Sequence, residues 1–140
     1  MGDVGLAASY KYTSLKKEEI QEKIKYLAYH DNLTGLPNRL FFKNQLDCNI
    51  SELKGSDKTL TVMFLDVDEF KMINDSKGHT VGDKLLIEVS KRLTQIIKEG
   101  NVVARIGGNE FAIMIKNIKS SNDVEKINEI MRFGNEFSWL

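Results

Sequence analysis

Two short apolar runs, Val102 to Ile106 and Phe111 to Ile115, flank the tetrapeptide Gly107-Gly108-Asn109-Glu110. Runs of this length, rich in strand formers and parted by residues that accept positive φ, predict a β-hairpin. A hairpin cannot bury both its faces unaided, so other elements must cover it. Thr59 to Leu65 is a third such run and reads as a buried strand.

Helical periodicity supplies the cover. Thr80 to Glu99 carries Val81, Leu85, Leu86, Val89, Leu93, Ile96 and Ile97 on one stripe, and Gly100 marks its stop. Thr80 and Asp83 make a capping-box pattern at its start. Leu40, Phe41, Leu46, Ile50 and Leu53 predict a helix ending near Gly55, entered through the loop His30 to Arg39 with Gly35 and Pro37. Upstream, Ile20, Ile24, Leu27 and Ala28 recur at helical spacing within a Lys/Glu-rich segment from Ser14. That connector helix over 14–29 either pairs with a copy of itself or packs on its own domain. Residues 1–13 show no clear period and read as an unstructured end or an upstream remnant. Ser121 could cap a last helix with Val124, Ile127, Ile130 and Met131 on its buried face; Phe133 to Leu140 carries no assignable pattern. Helices alternating with three strands imply an α+β or α/β domain.

Charge narrows the function classes. Twenty basic and 20 acidic residues give formal net charge +0, so no global field draws the chain to nucleic acid or anionic membrane. Phosphate recognition must then be local. The single cysteine, Cys48, excludes an internal disulfide and fits a reducing compartment. No apolar run approaches the roughly 18 residues that span a bilayer, and no signal peptide is visible. The expected location is cytoplasmic.

The predicted strand ends in Asp66-Val67-Asp68. Carboxylates at i and i+2 share a strand face and could converge on a hard cation such as Mg²⁺, with backbone carbonyls helping. Equally, a strand emerging into solvent often ends in Asp. Gly107 and Gly108 let backbone N–H groups approach a ligand, with Glu110 beside them, yet the same residues suit a plain turn. Lys71 is a plausible phosphate partner. Asn74 and Asp83 offer donors and acceptors suited to a guanine edge, or else a turn residue and a helix cap.

The combined pattern is more specific than its parts. Asp31-x-Leu33-Thr34-Gly35-Leu36-x-Asn38-Arg39, Asp66-x-Asp68-x-Phe70-Lys71-x-Ile73-Asn74-Asp75, Gly78-His79-x-x-Gly82-Asp83 and Arg105-x-Gly107-Gly108-x-Glu110-Phe111 resemble the GGDEF family in order and spacing. The resemblance covers the chain from about residue 27 onward. It implies an α+β, ferredoxin-like palm similar to nucleotide cyclases, in which an antiparallel sheet is covered by helices. It implies a diguanylate cyclase of cyclic di-GMP signalling: two subunits each bind GTP, and the 3′-hydroxyl of each GTP attacks the α-phosphate of the other. By motif position, Asp66 and the Val67 carbonyl would hold Mg²⁺ (or Mn²⁺), and Glu110 would assist. Phe70 and Lys71 would touch phosphates, Asn74 and Asp83 would read guanine, and Leu33 and Leu86 would line the base pocket.

Three departures accompany the resemblance. Asn109 stands where active members carry an acidic metal ligand; an amide oxygen can coordinate but brings no charge, which at a reacting centre typically costs on the order of 3 kcal/mol. Lys98-Glu99-Gly100-Asn101 replaces the family's Arg-x-x-Asp product-inhibition motif, and Lys is not a bidentate Arg. The family's further strand and basic helix do not follow before Leu140, so 30–140 reads as a partial domain whose Thr59–Leu65 edge is exposed and whose own turnover is weak or absent. The expectation is therefore a cyclase weakened at Asn109. The alternative is a degenerate GTP-binding regulator of an attached domain, with an upstream sensory module and a phosphodiesterase among the possible neighbours.

Overall fold

In the computed structural model, residues 2–67, 70–97 and 100–117 are described, together with Glu125, Asn128, Glu129 and Arg132. Asp68, the Lys98-Glu99 pair and most of the predicted last helix lie outside the described residues.

The elements run α1 (Gly2–Tyr29), α2 (Arg39–Leu53), β1 (Leu60–Asp66), α3 (Phe70–Lys77), α4 (His79–Ile96), β2 (Val102–Gly107) and β3 (Glu110–Lys116). The three strands form one antiparallel sheet in the order β1-β3-β2. The hairpin partner β3 therefore lies in the middle, and β1 has no second neighbour among the described residues.

Alternation along β3 builds a core on each face. Phe111, Ile113 and Ile115 point into a cluster with Leu86, Val89, Leu93 and Ile97, which line α4 and the residue just past its end. Ala112 and Met114 point the other way and pack with Phe42 of α2 and Ala104 of β2. All five of these β3 side chains are fully enclosed, as a central strand between helical layers requires. On the α2 face the cover is uneven. Phe64 of β1 is 73% exposed, although its cross-strand partner Ala112 is buried.

Local chemistry accounts for the start of α2 but not for that of α4. Asn38 caps α2: its Oδ1 accepts from the Phe41 N–H at 3.1 Å while its backbone stays extended. At α4, however, the residue at the cap position is Gly78 and no side chain caps the helix, so the predicted Thr80–Asp83 box is not formed. Both residues lie inside the first helical turns instead. Val81 is 39% exposed and stands off the stripe, whose other members are buried or, at Leu85 and Ile96, partly buried.

Two stretches differ from expectation. Residues 2–13 are helical, continuing α1 without a break. The physical reason is cooperativity: once 14–29 nucleates, each added residue costs little, and no proline interrupts the run. Phe70–Lys77 forms a helix of eight residues, too short for a repeating apolar stripe to declare itself along the chain. Packing against α4 supplies what its own sequence lacks. Among the described residues no helix is long and apolar enough to cross a membrane.

Candidate functional site at the hairpin tip

The antiparallel register brings Asp66, the last residue of β1, directly opposite Glu110, the first of β3. Directly opposed residues share a sheet face, so two exposed carboxylates stand side by side. Neither makes a hydrogen bond or ion pair among the described residues. Like charges placed opposite one another destabilise a ladder unless a cation joins them. Oxygen donors in this arrangement fit a hard divalent cation.

The tip closes onto the end of β1 through a reciprocal pair of hydrogen bonds. The Val67 N–H donates to the Asn109 carbonyl at 3.1 Å, and the Asn109 Nδ2 donates to the Val67 carbonyl at 3.0 Å. The second bond bears on two of the sequence assignments. The Val67 carbonyl, assigned as a metal ligand, already accepts from a side-chain amide. Asn109, assigned as a weak ligand through its oxygen, turns its N–H toward that carbonyl. Asn109 thus presents an N–H rather than an oxygen to the Val67 carbonyl, and among the described residues no cluster of three or more His, Cys, Asp or Glu side chains gathers at a metal-holding site.

Arg105 fixes the other side of the tip. Its Nε and Nη2 both donate to the Gly108 carbonyl, at 3.0 and 2.9 Å, and its Nη1 reaches both Asp31 oxygens at 3.1 Å. Gly108 sits at φ +49, a backbone conformation suited to glycine, which lets its carbonyl turn back to the guanidinium. Asp31 also accepts from the Thr34 N–H at 2.9 Å and the Thr34 hydroxyl at 2.8 Å. Burial alone would raise the Asp31 carboxyl; the Thr34 bonds and the Arg105 guanidinium outweigh it and hold the group below its usual range.

The same linkage continues to α1. The Arg105 N–H donates to the Pro37 carbonyl at 3.0 Å, and the next residue, Asn38, donates from its backbone to Tyr29 and from Nδ2 to Ala28. Tyr29 meets Phe41 edge-on at 6.2 Å between centroids. Short polar bonds thus connect the end of the connector helix to the hairpin tip.

Asn74, one of the two residues expected to read guanine, lies at the α3–α4 contact. Gly82 is buried there, and a Cβ on it would overlap the Asn74 side-chain amide and stand 3.2 Å from a Phe70 ring carbon. The Asn74 Oδ1 is buried without a hydrogen-bond partner. A buried amide oxygen without a partner is uncommon in a folded protein. Asp83 follows Gly82 and is exposed, as is Lys71. Phe70 and Leu33 are partly buried against the α4 core cluster, and Leu86, 1% exposed, is enclosed within it. Leu86 therefore supports the region from beneath and offers no open wall.

The family model for "Diguanylate cyclase, GGDEF domain" matches residues 28–135. The chain belongs to the GGDEF family. Among its relatives, the diguanylate cyclase TpbB of Pseudomonas aeruginosa is 40% identical over 100 residues, covering 71% of this chain and 23% of that protein. The bifunctional diguanylate cyclase/cyclic di-GMP phosphodiesterase MucR of the same species is 43% identical over 90 residues, 64% of this chain and 13% of MucR. The chain thus spans less than a quarter of either relative. A solved structure of the coiled coil and GGDEF domain of DgcB from Caulobacter crescentus, in complex with c-di-GMP, superposes with TM-score 0.81 at 30% identity, covering 91% of this chain and 66% of that one.

In this GGDEF domain the structure brings Asp66, Val67, Asn109 and Glu110 together at one corner, and Phe70, Asn74 and Gly82 together at a second. Arg105 and Gly82 were visible as motif positions, yet nothing local disclosed what they do. The only sequence signal was their fixed place in the two motifs.

Proposed function

We propose that this domain is the diguanylate cyclase module of a cyclic di-GMP signalling protein, condensing two GTP molecules across a pair of subunits, with turnover reduced by Asn109. The observation that carries the reading is the Asp66–Glu110 cross-strand pair at the end of β1; the Asn74–Gly82 contact near the start of α4 supports it. Membership of the GGDEF family supports it.

Each chain residue has a defined task in this reading. Asn74 and Asp83 hydrogen-bond the guanine edge, with Leu33 beside the base and Leu86 beneath. Lys71 and the backbone at Phe70 steady the phosphates, and Gly107 and Gly108 admit the nucleotide close to the tip. Asp66 and Glu110 hold a divalent cation, Mg²⁺ or Mn²⁺. When bound, it would neutralise charge at the α-phosphate and favour the attacking 3′-hydroxylate. The protein's own contribution is mainly orientation of two nucleotides across the subunit pair. Ile20, Ile24 and Leu27, exposed on α1, support pairing with a second copy. The charge balance and the single cysteine support a cytoplasmic setting.

The test is formation of cyclic di-GMP from GTP by the complete protein with Mg²⁺ or Mn²⁺, followed chromatographically. The rate per subunit should rise with protein concentration, because two subunits are needed. No product at high concentration sinks the proposal.

A further inference from the structure

We propose that Asn109 stands in for a divalent cation at the tip of the hairpin, acting as a positioning residue that holds the Val67 carbonyl in place without metal. This inference rests on reading Asp66, Val67 and Glu110 as the cation corner, and it concerns what the third signature residue does there.

One hydrogen bond at the tip has a fixed direction. The Val67 carbonyl can only accept, so the group meeting it at 3.0 Å must donate, and Asn109 Nδ2 does. A carboxylate at position 109 has no proton to give at neutral pH. Its oxygens would face the carbonyl oxygen with like partial charge, and only a cation between them would make that approach favourable. Asparagine removes this need. Its amide N–H supplies the positive end that a cation would otherwise provide, and the backbone bond from Val67 to Asn109 completes a closed pair.

The consequences are specific to this chain. The corner keeps its shape with no metal bound, and the amide protons disfavour a divalent cation close to the Val67 carbonyl. Any cation is then held by Asp66 and Glu110 alone. Asn109 is half-buried, so the bond is partly shielded from water and contributes measurably to the stability of the tip.

Thermal unfolding of the full chain tests this without reference to catalysis. Wild type, Asn109→Asp and Asn109→Ala are melted in EDTA and in millimolar Mg²⁺, with NaCl matching the ionic strength. Wild type should gain clearly less from Mg²⁺ than Asn109→Asp does, because only Asp66 and Glu110 hold the cation there. Asn109→Asp should melt about 4 °C lower in EDTA and regain most of that loss with Mg²⁺; Asn109→Ala should lose a similar amount and gain no more from Mg²⁺ than wild type does. A residue with a purely structural role would not make stability depend on the cation.

Equal melting of Asn109→Asp and wild type in EDTA overturns the proposal, since no latch was lost. A wild-type gain with Mg²⁺ as large as that of the Asp variant overturns it too. If Asn109→Asp loses stability but Mg²⁺ restores none, the corner is not a cation site, and the proposal fails together with that assignment. The expected melting pattern in a protein that makes no cyclic di-GMP would instead remove the turnover reading and leave the latch standing.

Discussion

Replacing Arg105 with alanine should release both the hairpin tip and the loop at Asp31. The guanidinium makes four contacts: Nη1 to each Asp31 oxygen at 3.1 Å, and Nε and Nη2 to the Gly108 carbonyl at 3.0 and 2.9 Å. Side-chain exposures of 15% for Arg105 and 20% for Asp31 place the pair between two regimes. Exposed ion pairs contribute about 0–1 kcal/mol, whereas breaking a fully buried pair costs about 3–5 kcal/mol. The pair itself is therefore assigned about 2 kcal/mol, and the two bonds to Gly108 add about 1 kcal/mol. A total near 3 kcal/mol is a large share of the roughly 5–15 kcal/mol that stabilises a domain. Urea unfolding followed by circular dichroism measures it. A double-mutant cycle with Asp31→Asn should return a coupling energy of about 1–2 kcal/mol, because the two residues share the contact. Arg105→Lys should recover only part of the loss, since one ammonium cannot serve both partners with the geometry of the fork. A loss below about 0.5 kcal/mol, or simple additivity in the cycle, would refute the reasoning.

Gly82→Ala should cost about 1–3 kcal/mol by overpacking and weaken GTP binding by turning Asn74 aside; adding Asn74→Ala should restore stability but not binding, as read by urea titration and calorimetry. Asn38→Ala removes the α2 cap and the bond to Ala28, so a loss of about 1 kcal/mol is expected in thermal melts monitored by circular dichroism. Asp31 titrates below its usual value of 3.8 in the folded chain, so its contribution is complete above the unfolded value and is lost as pH falls through the folded one. Stability measured from pH 6 down to pH 2 should accordingly decline less steeply at its acid end in Asp31→Asn than in wild type. Asn109→Asp in the complete protein should raise cyclic di-GMP formation by about 10²-fold if the asparagine is the block to turnover; an unchanged rate shows that the limit lies elsewhere.

Much of the architecture was legible because its signals are local. The hairpin runs, the Thr59–Leu65 run and the α4 stripe each declare their period within a few residues, and they appear as β2, β3, β1 and α4 nearly where predicted. α3 was not assigned, since eight residues give too short a window for a helical period, and the helix packs against α4. The helical state of residues 2–13 was missed for a related reason: propagation from an existing helix leaves no periodic mark. A capping box at Thr80 was a sound local pattern that the chain's entry through Gly78 set aside.

The sequence by itself determined the family, the hairpin and the set of residues from which a nucleotide site could be assembled, because motif order and side-chain chemistry are written along the chain. Tertiary structure decided how those residues are used. Arg105 meets Asp31 across 74 positions and Asn109 meets Val67 across 42, and no local pattern encodes which atom faces which. The direction of the Asn109 amide depends on a carbonyl at the end of another strand. That contact turned a missing charge in the signature into a hydrogen-bond donor with a position and a partner.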